Sequence, residues 1–424
     1  MRILFFTNLP LPEVYKKLEK KPSVFQGWAE NLRLALSNRS DFVLGFASIS
    51  QLDYLPFSID NCIYYNISAP PLKRHVRAWV NNWYHSSDFP GCLDQCTKTI
   101  NEFGPDIIHI HGTEGPYGLI QTQTTIPTVI SIQGLLNVIE RQYFSGLEII
   151  DTIRDVFSIN FIKGSGLIHN YLTFKNAARR EKIIIKHSRY FIGRTEFDQR
   201  ITTLLNPHAC YFKCDEILRS AFYTTSWNAE SLSRKVIYCS SGGNPFKGIG
   251  CLLEAIKILK DNGDGDIELR ISGPLENSVT WSALQRKIRK LDIKYQVKWL
   301  GTGTDSNVSS ELANASIYIH PSFCDNSPNS LCEAMIVGTP CIASYVGGIP
   351  SLITNKDNGL LFPAGDPYSL AGKIQQLLTD SALATRLSEQ AHQIAVQRHD
   401  PQKIAADMTD IYREVIQFGS QKVA

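Results

Sequence analysis

The sequence predicts an α/β protein of two tandem Rossmann-like domains, and three observations carry that prediction. Short apolar runs alternate with amphipathic segments of helical length nearly from end to end, the pattern of βα units that feed parallel sheets. The polar stretch Thr224–Ser233 splits the alternation into two series. The 424 residues suit two domains of about 200 residues each.

In the first series, apolar runs closed by polar or turn residues predict strands at Arg2–Thr7, Phe42–Ala47, Ile107–His111, Thr128–Ile132 and Tyr190–Gly193. Helical periodicity predicts helices at Gly27–Leu36 and Phe174–Lys186, and Leu9–Phe25 reads as a long loop. In the second series the strands fall at Lys235–Ser240, Ile267–Ser272, Val297–Gly301, Ile317–Pro321, Pro340–Ala343 and Gly359–Phe362. Helices are expected between them at Gly248–Asp261, Trp281–Leu291, Val308–Asn314, Pro328–Val337 and Pro367–Leu378. Ser381–Arg398 and Gln402–Phe418 close the chain as helices, the second expected to pack back on the first domain. The domains are therefore expected at 1–225 and 226–401. Open sheets of this kind bind ligands beyond the carboxyl ends of their strands, so a cleft between the domains is the expected site.

Composition excludes several classes. Lys and Arg number 43 against 40 Asp and Glu, a formal charge of +3, too small to demand nucleic acid as a partner. No apolar run reaches the roughly 18 residues of a membrane span, since the charge-free segment Gly115–Ile139 is broken by Pro116, Gln121, Gln123 and Pro127. The N-terminus carries one Arg before a short apolar run and reads as a strand, not a signal peptide, so the chain is expected to stay in the cytosol. The ten cysteines are then expected to be reduced. Cys92 with Cys96, and Cys210 with Cys214 after His208, lack the two-plus-two layout of a structural zinc site, so no metal is expected.

The most informative stretch runs from Ser322 to Ile353 and reads strand, loop, helix, strand, loop. Ser327 is the expected N-cap, with Pro328 at the first helical position. The amides of Asn329, Ser330 and Leu331 would then point out of a positive helix end, where a phosphate fits. Glu333 lies deeper, placed to accept hydrogen bonds from vicinal hydroxyls. Asp325 sits in the loop over the helix start. Taken singly, each of these residues reads equally as a cap or a surface charge. Upstream, Ser240-Ser-Gly-Gly-Asn-Pro-Phe-Lys-Gly248 follows a strand and opens a helix, so Lys247 can offer its ammonium to a phosphate beside the glycine-lined backbone at Gly243. No Lys-Ser or Lys-Thr pair follows, so this is not a Walker loop.

As a string, these residues resemble the retaining glycosyltransferases of GT-B fold, family 4, also called glycosyltransferase group 1. The resemblance rests on Asp325, Glu333, Ala334-Met335, Gly338-Thr339-Pro340 and Gly347-Gly348-Ile349-Pro350, continues over Ile317–Ser322 and Asn358–Pro363, and covers essentially the whole second domain. It implies that Glu333 binds the nucleotide ribose, while Asp325, Asn326, Ser327 and the amides that follow face the donor sugar and its diphosphate. It also implies retention by front-face attack, with the leaving phosphate taking the acceptor's proton, and no catalytic metal. Three positions depart from the family pattern. Asp325 stands for the usual Glu. An Arg that commonly precedes the Lys is replaced by Ser241 and Gly242, leaving Arg194 and Arg219 as candidates for the missing cation or as ordinary ion-paired arginines. Gln133 stands where many relatives have a His.

The first domain is less tightly marked. Gly27 opens its first helix and would permit close approach of a phosphate or acceptor. His109 and His111 share one face of a strand, and His111 lies at its carboxyl end. The resemblance sets the last His near acceptor and donor sugar, whereas His109 reads as a core histidine. Two basic segments, Lys16–Lys21 and Leu72–Tyr84 with its Trp79 and Trp83, have the residue mix of a membrane-surface contact.

The resulting expectation is a transferase that moves a sugar from a nucleotide-diphosphate donor to a glycan or lipid-linked acceptor in surface polysaccharide synthesis. It would act in the cytoplasm, with an anionic membrane as a candidate partner and no nucleic acid. Asp325, His111 and Lys247 are the expected catalytic residues. The competing readings are a binding-only relative and a sugar-nucleotide epimerase or hydrolase of the same fold.

Overall fold

The computed structural model describes residues 1–20, 27–37, 39–50, 52–68, 91–273, 276 and 278–420. The chain forms two compact units, one of Met1–Asn137, Leu172–Ile217 and His399–Ala424, the other of Val138–Tyr171 and Leu218–Arg398.

The first unit is built on strands β1 (Arg2–Thr7), β2 (Val43–Ser50), β3 (Phe57–Ile59), β4 (Cys62–Ser68), β5 (Ile107–His111), β6 (Thr128–Ser131), β7 (Tyr190–Gly193) and β8 (Cys210–Lys213). They line up as β3-β4-β2-β1-β5-β6-β7-β8. All neighbours are parallel except β3, which pairs antiparallel with β4. The inner strands are buried along nearly their whole length, as a sheet covered on both faces requires. Helix Pro401–Ser420 supplies one of those covers. Its Ile404, Met408, Tyr412 and Val415 are buried in one cluster with Phe5, Leu44, Ile107 and Ile192.

The second unit carries β9 (Val236–Ser240), β10 (Glu268–Ser272), β11 (Val297–Gly301), β12 (Ile317–His320), β13 (Cys341–Ser344) and β14 (Leu360–Phe362). Their order is β11-β10-β9-β12-β13-β14, all parallel. The direction of winding reverses between β9 and β12, so the loops leaving these two strands diverge onto opposite faces and open a crevice at their carboxyl ends. Helices Ile249–Asp261, Trp281–Leu291, Pro367–Thr379 and Ser381–Arg398 cover one part of the core, Asp305–Asn314 and Asn329–Val337 another.

The structure departs from the sequence expectation in several places. The stretch read as a loop from Leu9 to Phe25 contains a helix, Pro12–Lys17. Strands β3, β4 and β8 were not legible, because β4 is interrupted by Asn66 and the other two are short edge strands. Residues 138–171 join the second unit although they lie within the first in sequence. Asp151 pairs with Arg286 at 2.7 Å, Asn170 Nδ2 donates to Asn244 Oδ1 at 3.2 Å, and the Tyr143 ring lies 6.4 Å from that of Phe246. Leu218 and Phe222 are likewise buried with Tyr238 and Met335, so the second unit begins at Leu218 rather than at 226.

Candidate active site

Lys247 and Asp325 come together at the switch point of the second unit. Lys247 ends the loop that leaves β9, and Asp325 lies in the loop that leaves β12. Gly248 fastens one loop to the other. It has φ +74°, and a Cβ there would stand 1.9 Å from the Pro321 carbonyl oxygen, so only glycine permits the approach. Across this contact Lys247 Nζ meets Asp325 Oδ2 at 2.7 Å. The same oxygen lies 3.0 Å from His320 Nε2 and accepts from Ser322 Oγ at 3.3 Å, while Oδ1 accepts from the Asn326 amide at 3.2 Å. Burial would raise the pKa of Asp325, but Lys247 and His320 outweigh it and hold the carboxyl well below the usual carboxylate range. Asp325 is therefore an anion whose position is fixed by four donors. The Gly347-Gly348 loop fixes its backbone as well, since the Gly348 amide donates to the Asp325 carbonyl at 3.1 Å.

Helix Asn329–Val337 starts one residue later than expected. Pro328, not Ser327, is its N-cap, and no side chain caps it. Ser327 Oγ is buried and makes no hydrogen bond, leaving a hydroxyl beside the helix start that a ligand oxygen could satisfy. The Leu331 amide is taken by the Pro328 carbonyl at 3.0 Å, so it does not serve as an anion donor. The amides of Asn329 and Ser330 precede that first helical bond, at the positive end of the helix. Gly243 turns its carbonyl to Thr280 Oγ1 at 2.9 Å, and a Cβ on it would overlap Ser278. Its smallness thus serves packing of the 278–280 segment.

Glu333 is no surface charge. Its side chain is 6% exposed, and Arg219 grips it through Nε to Oε1 and Nη2 to Oε2, both at 2.8 Å. Burial raises the Glu333 pKa, and Arg219 draws it back in part. The remaining Arg219 nitrogen Nη1 pairs with Asp305. Arg219 is thereby committed to two carboxylates instead of a phosphate. Arg194, in the first unit, is committed as well, to Glu216 at 2.7 Å and to the Gln133 carbonyl at 3.1 Å.

In the first unit the two strand histidines differ in their partners. His109 bonds Tyr412 Oη at 2.7 Å and Ser131 Oγ at 2.6 Å, and burial pushes its pKa down to about 3. His111 is 2% exposed, yet neither ring nitrogen has a hydrogen-bond partner. Burial, then the neighbouring His109, keeps it neutral. Its ring lies 4.4 Å from that of Trp28, the residue after Gly27 at the start of helix Gly27–Ser37. Both rings line a cavity of about 20 Å³ with Gln133, Arg194 and Glu216, room for about one water molecule.

Sequence reasoning missed three participants. His320 and Ser322, which orient Asp325, lie in the string that carried the resemblance but had no assigned role. Glu114 follows Gly112 at the carboxyl end of β5, beside Asn8 Nδ2 at 3.4 Å, and burial, then the charge of Glu181, pushes its carboxyl up to about 7. An acid between two glycines just past a strand end was the available signal. Leu72–Tyr84 and Lys21 lie outside the described residues, whereas Lys16, Lys17 and Lys20 are exposed. None of the ten cysteines forms a disulfide. Among the described residues no helix is long and apolar enough to cross a membrane.

Residues 227–394 match the family of glycosyl transferases group 1. The chain is 28% identical to the N-acetyl-alpha-D-glucosaminyl L-malate synthase of Bacillus anthracis over 44% of its own length and 47% of that protein. It is 28% identical to the D-inositol 3-phosphate glycosyltransferase of Corynebacterium glutamicum over 44% of each chain. A biosynthetic glycosyltransferase for amylovoran from Erwinia amylovora is 34% identical over 31% of this chain and 33% of that one. These matches span half or less of each relative. Among solved structures, sucrose-phosphate synthase from Thermosynechococcus elongatus superposes with a TM-score of 0.75 at 15% identity, covering 98% of this chain and 99% of that one. Anabaena HepE, solved with UDP and glucose, gives 0.66 at 16% identity over 97% and 98%. At such identities the likeness is one of fold, the GT-B fold of two parallel-sheet α/β domains. Residues 227–394, which hold Lys247, Asp325 and Glu333, are the part of the chain that matches the glycosyl transferases group 1.

Proposed function

We propose that this chain transfers a sugar, with retention, from a nucleotide-diphosphate donor to a hydroxyl of a glycan or lipid-linked acceptor in surface polysaccharide synthesis. The observation that carries the proposal is the meeting of Lys247, Asp325 and the start of helix Asn329–Val337 at one sheet switch point. An ammonium and a positive helix end suit a diphosphate, and a buried carboxylate beside them suits sugar hydroxyls.

In this reading Lys247 turns from Asp325 toward the diphosphate as the donor binds, and stabilises the charge that grows on the leaving phosphate. The Asn329 and Ser330 amides and the Ser327 hydroxyl share that load. Glu333, with both oxygens oriented by Arg219, accepts from the ribose hydroxyls through its remaining lone pairs. Asp325 takes hydrogen bonds from the donor sugar. His111, neutral and with both ring nitrogens unbonded, offers one donor and one acceptor to a sugar hydroxyl. The acceptor's proton passes to the leaving phosphate on the face where the new bond forms. That HepE was solved with UDP and glucose, and that relatives are named as sugar transferases, supports a nucleotide-sugar donor. The reaction is proposed to need no metal.

The test is nucleotide release from a panel of sugar nucleotides with crude acceptor, in the presence of a chelator. Lys247→Ala and Glu333→Ala should each lower turnover by about a hundredfold or more. Unchanged rates in either variant would overturn the site assignment. Nucleotide-sugar binding without turnover in the parent chain would establish the binding-only reading instead.

A further inference from the structure

Outside the candidate site, the least expected surface lies on residues 149–162. The helices Ile149–Val156 and Ile159–Ile162 bury none of their own side chains fully. Ile149 is 82% exposed, Phe157 86% and Ile162 70%, and Ile150, Ile153 and Ile159 are exposed beside them. Ile149, Ile153 and Phe157 recur at every fourth position, so they form one stripe along the helix and its exit. An isolated exposed Leu or Ile needs no explanation, but six large apolar side chains within fourteen positions form a patch of the kind that marks an interaction surface.

The charges of the same segment are sorted. Two of its acids are engaged on the protein side, Asp151 with Arg286 at 2.7 Å and Asp155 Oδ2 accepting from the Leu167 amide at 2.6 Å, whereas Glu148 is exposed and its charge is offset by the exposed Lys290 at 3.4 Å. Its two cations, Arg154 and Lys163, are exposed. The outward face therefore presents branched aliphatic chains and positive charge. A protein interface of this size would be expected to offer aromatic anchors and directional polar groups at its centre, and five of the six apolar residues here are isoleucine. Hydrocarbon requires no directional partner, and anionic headgroups match Arg154 and Lys163.

We propose that residues 149–162 form a membrane-surface contact, in which the isoleucines and Phe157 enter the interface of an anionic bilayer while Arg154 and Lys163 engage its headgroups. The contact rests on exposure and charge alone and does not depend on the transfer reaction.

The experiment is co-sedimentation of the full chain with vesicles of phosphatidylcholine, alone or mixed with phosphatidylglycerol, at low and high salt. The chain should pellet with the anionic vesicles and less so at high salt. The double variant Ile149→Asp with Phe157→Asp should lower the bound fraction by about tenfold or more, and Arg154→Glu with Lys163→Glu should remove the preference for phosphatidylglycerol. All substituted positions are exposed, and unchanged melting curves will show that the variants fold. Equal pelleting of the apolar double variant and the parent would overturn the proposal. So would a dimer, formed without vesicles and dissolved by that variant, which would assign the face to a second copy of the chain. Because these helices contribute nothing to the candidate site, either failure leaves the transfer reading standing.

Discussion

Arg219 meets Glu333 in the two-pronged geometry that only a guanidinium can supply, and its third nitrogen reaches Asp305. Glu333 is nearly inaccessible to water, so its charge is tolerable only while Arg219 is present. Arg219→Ala should therefore cost about 3 kcal/mol of stability in denaturant unfolding, the usual penalty for stripping the partner from a buried charge. The double variant Arg219→Ala with Glu333→Gln should recover most of that loss, because an amide needs no counter-ion. A double variant as unstable as the single one would show that Arg219 acts through packing on Phe222, 4.7 Å beneath it, and not through Glu333. At this scale the sequence singles out residues that the fold brings together and is poor on what they touch. Asp325 and Glu333 are marked by a contiguous string and Lys247 by the separate loop Ser240–Gly248, whereas the Arg219 to Glu333 pair spans 114 positions that no local spacing connects. Both arginines considered for a phosphate clamp proved to be held by carboxylates, a choice that three-dimensional proximity alone decides.

The elements that shape the site do so through loops pressed together at their glycines. Gly347 has φ +51°, and a Cβ on it would lie 1.9 Å from the Asp325 carbonyl oxygen. Any side chain there must push back the loop that holds Asp325 against Lys247, His320 and Ser322. Gly347→Ala should thus lower stability by about 1–3 kcal/mol, the cost of a strained left-handed residue, and should depress kcat/KM by more than that destabilisation explains. The check is turnover at a temperature where circular dichroism shows the variant fully folded, and parent-like turnover there would refute the coupling. Strand and helix existence in this unit was legible because its strands are near-continuous apolar runs and its helices carry clear caps and periodicity. The helix start at Asn329 was misplaced by one residue, since Ser-Pro reads as cap and first turn whereas the backbone of Pro328 remains extended. In the first unit, β4 carries Asn66, and its side chain bonds Ser50 and Leu52. A polar residue that finds its partners only in the folded sheet hides the strand from a reading of apolar runs.

For the whole molecule, sequence order and spatial membership part company twice. Residues 138–171 leave the first unit for the second, and 399–424 return from the second to the first. The first exchange was not anticipated, because short helices with exposed apolar faces carry no periodic signal of where they dock. The second was legible, since a long amphipathic helix following a completed sheet must bury its stripe on another surface. That helix has a consequence for folding. Ile404, Met408, Ile411, Tyr412 and Val415 are buried with side chains of β1, β2, β5 and β7, and Tyr412 Oη bonds His109. At about 2 kcal/mol for each buried side chain, removing them costs on the order of 10 kcal/mol, which matches the whole stability of an ordinary domain. A chain ended after Arg398 should lose the folded first unit. The second unit closes its core from its own strands and helices and should survive. Limited proteolysis of the truncated chain should leave a resistant fragment covering 218–398, the part of the second unit that holds its buried clusters without residues 138–171, and nucleotide-diphosphate binding by that fragment should persist, since Lys247, the Asn329 helix and Glu333 all lie within it. A truncated chain that resists proteolysis over residues 1–137 would show that the first sheet holds without its terminal helix, and loss of nucleotide binding would show that the second unit is not self-sufficient.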